Sequence, residues 1–121
     1  MSSLNKILII GNVGKEAEMR FVPSGKATTS FSVACNEKFG ETESTEWFNI
    51  VTWGKLAETC NQYITKGQQV FVEGRLQTRT WETDGVKHYK TEVIANRVLF
   101  LGQRQQTKET TTEDIEEEVP F

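Results

Sequence analysis

Histidine is almost missing from this chain: His88 is the only one in 121 residues. Cysteine is scarce too, with Cys35 and Cys60 far apart and no C-x-x-C spacing. Zinc and most transition-metal sites need clustered thiolate and imidazole ligands. The sequence therefore predicts no metal and no cofactor, and the two cysteines read as reduced, apolar, structural residues. There is no arguable Ser-His-Asp set and no paired carboxylate outside loops and the C-terminal stretch, so no catalytic residue is expected. Long apolar runs are also absent. The run at residues 7–10 follows a single Lys6 and is too short for the h-region of a signal peptide. No segment approaches the ~20 apolar residues of a membrane span. The expectation is a cytoplasmic protein that is not an enzyme and has no membrane partner.

A basic excess is missing as well. Lys and Arg number 14 against 17 Asp and Glu, a net charge of −3. The deficit is local. Residues 1–101 carry twelve basic and eleven acidic side chains, whereas residues 102–121 carry two and six. A near-neutral domain still binds phosphate when its positive charge gathers on one face.

What is present centres on residues 45–67. The first half is rich in β-branched and aromatic residues and reads as a strand. Trp47 and Trp53 stand an even number of residues apart, which puts both rings on one face of it. The period then changes. Leu56, Ala57, Cys60, Tyr63 and Ile64 fall at helical spacing, and Gly67 stops the helix.

The flanks read as further strands. Residues 4–11 form a first strand whose continuous apolar run predicts cover on both faces. Gly11-Asn12-Val13-Gly14-Lys15 lacks the spacing and the hydroxyl of a phosphate loop, and its glycines read as a bend or bulge. Residues 16–21 continue extended to a turn at Val22-Pro23-Ser24-Gly25. Over residues 27–36, Thr29, Phe31, Val33 and Cys35 alternate with Thr28, Ser30, Ser32 and Ala34, giving a second strand. Residues 39–44 read as a polar loop. Residues 68–80 form a fourth strand, interrupted by Gly74, and Asp84-Gly85 makes a hairpin turn. Residues 90–101 form a fifth strand, with Val93, Ala95 and Arg97 opposed to Ile94, Val98 and Phe100. The result is an all-β chain: a five-stranded OB-fold barrel with one short helix between strands 3 and 4. The domain spans residues 1–102. Residues 103–121 are too polar to offset their ordering entropy and read as a disordered linker and acidic tip.

In the order and spacing of its motifs the chain resembles the bacterial-type single-stranded DNA-binding proteins. The matching runs are Gly11-Asn12-Val13-Gly14, Arg20-Phe21-Val22-Pro23-Ser24-Gly25, Thr45-Glu46-Trp47 and Gly54-Lys55-Leu56-Ala57-Glu58. Lys66-Gly67-Gln68-Gln69-Val70, Val72-Glu73-Gly74-Arg75-Leu76 and Thr78-Arg79-Thr80-Trp81 match as well. The resemblance implies an OB barrel, usually a homotetramer, that wraps single-stranded DNA in replication, recombination and repair and is nucleoid-associated. It implies base-stacking rings at Phe39, Trp47, Trp53 and Trp81. It also implies recruitment of replication and repair enzymes through the tip Asp114, Ile115, Glu116, Glu117, Glu118, Val119, Pro120 and Phe121. The stretch before that tip, residues 102–112, is shorter than the family's usual linker, and the tip is rich in Glu rather than Asp.

The residues themselves suit such a ligand. Binding single strands without sequence preference needs flat rings for bases and cations for phosphates. Lys6, Arg20, Lys55, Lys66, Arg75, Arg79, Lys87 and Lys90 are the candidate cations, whereas Lys38 and Lys108 read as solvated surface charges. Arg79 lies two residues before Trp81, hence on the same strand face. A tryptophan in a small barrel also serves as core; the polar neighbour Asn49 weighs against that for Trp47 and Trp53, and the polar hairpin around Trp81 weighs against it there. His88 reads as a surface or DNA-contacting ring. Phe48 and Val70-Phe71-Val72 exceed the needs of one small core and read as a subunit interface. A pure adaptor, or an OB module for RNA or oligosaccharide, is the competing reading, because the fold alone does not choose the ligand.

Overall fold

A computed structural model describes residues 2–102. Five strands and one helix follow in the order β1 (Ile7–Phe21), β2 (Ala27–Phe39), β3 (Thr42–Trp53), α1 (Gly54–Tyr63), β4 (Gln69–Thr83) and β5 (Val86–Gly102). The strands close into a barrel in the order β1-β2-β3-β5-β4. All pairings are antiparallel except the β3–β5 seam, which is parallel and only two residue pairs long, Ile50 with Val93 and Val51 with Ile94.

Alternation builds the interior. Thr29, Phe31 and Val33 of β2 point inward with Ile50 and Thr52 of β3, and Ile9, Val70, Val72 and Val93 complete the core. The chain leaves β3 through Gly54, whose φ of 65° turns it into α1. Ala57 and Cys60 of α1 are fully buried against the barrel end. The buried Thr29 hydroxyl donates to the Ala57 carbonyl at 2.7 Å, and the Thr52 hydroxyl donates to the Thr29 carbonyl at 2.9 Å. These bonds satisfy hydroxyls that would otherwise be costly inside. Burial pushes the Cys60 thiol up to about 11, opposed in part by its hydrogen bond with Thr52. The half-buried Cys35 is also raised, by burial first and then by Glu37 and Glu46.

Several expectations change. Residues 7–21 are one long strand, with extra residues at Gly14 and again between Lys15 and Glu18. Its first part is not covered on both faces: Leu8 and Ile10 are exposed, while Ile9 is buried. Residues 39–44 are no loop. β2 and β3 run into a tight turn at Gly40-Glu41, with Phe39 paired to Thr42. Ile64 lies just past α1 as an extended residue. On β5, Asn96 is skipped in the pairing between Glu73–Arg97 and Gly74–Ala95. That bulge shifts the phase by one residue, so Val98 joins Val93 and Ala95 inside instead of Ile94 outside. Val70, Phe71 and Val72 are all buried within this chain, Phe71 being 4 % exposed, so they are not surplus surface for a partner.

Candidate nucleic-acid interface

The outer face of β1–β2–β3 carries two of the tryptophans. Burial alternates along β3, with Ile50 and Thr52 inside and Trp47, Asn49 and Trp53 outside. The sequence expectation that Trp47 and Trp53 share an outward face agrees with this pattern. Directly paired residues project from the same side of a sheet, so the register defines rows across the face. Asn12, Ala34 and Trp47 form one row; Lys15, Ser32 and Asn49 the next; Arg20, Thr28 and Trp53 another. Between these runs the row Glu18, Ser30, Val51, Ile94 and Arg75, which crosses the parallel seam onto β5 and β4.

β2 contributes only small outward side chains to these rows: Thr28, Ser30, Ser32 and Ala34. The ring of Trp47 therefore has room to lie down across the sheet. It reaches as far as Gly14 on β1, where a β-carbon would collide with the edge of its six-membered ring. Ser32 Oγ would also lie within 3.2 Å of that β-carbon. Gly14 is thus required by the ring. The ring reaches over the small β2 side chains to Gly14, and the residue remains 57 % exposed. A flat ring with one supported and one solvated face is the geometry a base needs for stacking.

The parallel seam places two hairpin arms on one end of the barrel. β3 and β5 run in the same direction from their turns, at Gly40-Glu41 and Asp84-Gly85, to the adjacent pairs at the seam. Each arm extends about 30 Å along its strands, at ~3.3 Å per residue. Asp84 and Gly85 both have positive φ, as a two-residue hairpin turn requires. Phe39 stands exposed near the tip of the first arm. Trp81 stands on the second, and it is engaged by its own neighbours. Its cross-strand partner His88 stacks on it, with ring centroids 5.3 Å apart and 18° between planes. The Arg79 guanidinium sits 5.1 Å from its centroid.

The candidate cations divide into groups. Arg20 joins the tryptophan face, with Glu18 at 3.9 Å. Lys55 is the second residue of α1, two positions after Trp53. Lys66 is carried to β1 by its neighbours, since the Gly67 N–H donates to the Val13 carbonyl and the Val13 N–H to the Gln68 carbonyl. Arg75, Arg79, Lys87 and Lys90 lie on the β4–β5 arm. Arg79 makes two hydrogen bonds to the Glu92 carboxylate, at 3.3 and 3.2 Å, and Lys90 approaches the same group at 4.0 Å. Lys6 is not brought to the tryptophans. It pairs with Glu73 at 2.9 Å, in the sector where Leu8, Glu73 and Arg97 form a row. Sequence reasoning missed Lys15, which the register sets in the row between the two tryptophans. Its signal was hidden by the bulge at Gly14. The tip, Asp114 to Phe121, lies outside the described residues.

Known proteins resemble this chain in sequence and fold. The sequence model of the single-strand binding protein family matches residues 4–101. A protein of Chlorobaculum tepidum called single-stranded DNA-binding protein 1 is 44% identical over 108 residues, covering 84% of this chain and 67% of that one. A solved structure described as the Plasmodium falciparum SSB complex with single-stranded DNA superposes with a TM-score of 0.78 at 33% identity, covering 84% of this chain and 98% of that one. The five-stranded barrel with its helix between strands 3 and 4 is thus an OB fold, and the chain belongs to the single-strand binding protein family.

Proposed function

We propose that this protein binds single-stranded DNA without sequence preference and so protects and organises it in replication, recombination and repair. The observation that carries this reading is Trp47 lying on a floor of small residues with its outer face in solvent. Trp53 and Phe39 supply further stacking surface, and Lys15, Arg20, Lys55 and Lys66 supply phosphate contacts around them. Trp81, Arg75, Arg79, Lys87 and Lys90 form a second set on the β4–β5 arm. Lys6, paired with Glu73, would contact phosphate apart from both sets. The binding unit is residues 1–102. The site performs recognition, not chemistry. No helix among the described residues is long and apolar enough to cross a membrane.

The working form is a homotetramer. The exposed Leu8 and Ile10 on β1 support this, because residues Ile7 to Ile9 pair with β4 alone and leave a strand edge open. The acidic tip at residues 114–121 recruits replication and repair enzymes: negative charge draws it to basic pockets, and Pro120 limits the freedom lost when Phe121 docks.

Titration with oligothymidylate, followed by tryptophan fluorescence, tests the reading. Saturable quenching that weakens with salt is expected. No quenching, with a partner protein retained through the tip, would make the chain an adaptor. Stronger quenching by RNA than by DNA would redirect it to RNA. Light scattering at micromolar concentration reports the tetramer, and a monomer mass would remove it.

A further inference from the structure

The β4–β5 arm leaves the barrel past a contact that the proposed function does not use. β1 and β4 pair from Asn12–Gln69 to Ile7–Gly74, where their ladder ends. One ladder step further on, Asn5 stands opposite Leu76, and its side-chain amide takes the place of a backbone peptide group. Asn5 Nδ2 donates to the Leu76 carbonyl at 2.8 Å, and the Leu76 N–H donates to Asn5 Oδ1 at 3.0 Å. We propose that Asn5 is a positioning residue for single-stranded DNA binding: it clamps the root of the β4–β5 arm, and so holds Trp81 and the arm's cations in line with the rest of the site.

Three observations carry this. First, the clamp is two-ended. A side-chain amide donates and accepts side by side, as a peptide group does. Residues 2–6 form no strand, so the Asn5 side chain makes the bonds that their backbone does not. Second, the clamp is the last tether before the arm. Leu76 pairs with Val93, Val93 with Ile50 and Ile50 with Phe31, a row that crosses the parallel seam into the core. Beyond that row, residues 77–83 of β4 and 86–92 of β5 pair only with one another. Third, the other edge of β4 is already tight. A β-carbon on Gly74 would collide with the Ile94 carbonyl and lie 2.8 Å from Ala95 Cα, beside the bulge at Asn96. β5 thus holds one edge of the root and Asn5 the other. Trp81 lies about 16 Å beyond Leu76, at ~3.3 Å per residue, so a small rotation at the root displaces that ring widely. Fixing a recognition element before its ligand arrives reduces the freedom lost on binding.

The inference rests on the proposed single-strand binding and is tested on the full chain. Oligothymidylate affinity is measured at fixed salt with and without Asn5→Ala in three backgrounds: wild type, Trp47→Ala, and Arg79→Ala with Trp81→Ala. Asn5→Ala should weaken binding several-fold in the first two. It should cost much less in the third, where the arm has lost its main contacts. An equal loss in all three backgrounds would show a merely structural role and overturn the proposal, as would no loss in wild type. Absence of binding by wild type instead defeats the functional reading itself. Amide hydrogen exchange of wild type alone gives a second readout. Pairing directions alternate along a strand, so the N–H groups of Thr78 and Thr80 point to the same edge as that of Leu76, with no clamp there. Leu76 should exchange more slowly than both, and equal exchange contradicts the proposal.

Discussion

The tryptophans on the two arms live in opposite surroundings. Trp47 has a floor of Ala34, Ser32 and Gly14 and offers a free upper face. Trp81 is steadied by His88 and Arg79. The first ring is supported by the smallness of its neighbours, the second by their size and charge. Their readiness for a ligand differs accordingly: Trp47 can accept a base as it stands, whereas Trp81 must exchange or share existing contacts.

The variant that disturbs this contrast most is Gly14→Val. The added carbons meet the Trp47 ring and force it off the sheet. Loss of the stack, at roughly 1–3 kcal/mol of binding, should be joined by about 1–3 kcal/mol of lost stability from overpacking. Oligothymidylate titration and thermal unfolding of the same sample measure both. Next in size, Trp47→Ala should weaken binding by roughly 1–3 kcal/mol, and Trp81→Ala by less, since a base on Trp81 must first displace or share His88 and Arg79. Equal losses would mean that the floor makes no difference.

A smaller effect bears on the electrostatic half of the comparison. Glu92→Gln releases Arg79 and Lys90 from their shared carboxylate. Binding should tighten at low salt, and the slope of log affinity against log salt should steepen by about 0.7 for each further phosphate that these cations then neutralise. Arg79→Ala should make that slope shallower, by at most about 0.7, because one phosphate-contacting cation is removed.

The least effect concerns the barrel end that α1 covers. The Cys60 thiol is raised from 9.0 to about 11 by burial. Its neutral form is favoured in the folded state, so the stability this confers is complete below the unfolded value and is lost as pH rises through the folded one. Thermal midpoints should fall as pH rises from 9.0 to about 11, and Cys60→Ala should flatten that fall.

Much of this architecture was legible in the residues. The alternation of Thr29, Phe31 and Val33, the even spacing of Trp47 and Trp53, and the Asp84-Gly85 turn each express a local rule. What was hidden depends on register. The bulge at Gly14 concealed Lys15, and the one at Asn96 reversed the face of Val98, because one extra residue inverts a two-residue period without any mark in composition. Residues 39–44 looked like a loop because they are polar, yet both faces of a projecting arm meet water and polarity is no guide there. Val70, Phe71 and Val72 were read as an excess because a closed barrel covers more of β4 than one alternating face. The Trp81–His88 pair needed the cross-strand partner, which a linear reading does not give.

That Trp47 offers its free face to bases is the point on which the rest depends. The decisive sample is a protein whose only tryptophan is Trp47, made by Trp53→Phe and Trp81→Phe. Its fluorescence is followed during addition of oligothymidylate. Strong, saturable quenching with a salt-dependent midpoint is expected. Saturable binding detected by another method, with Trp47 emission unchanged throughout, would show that no base stacks there.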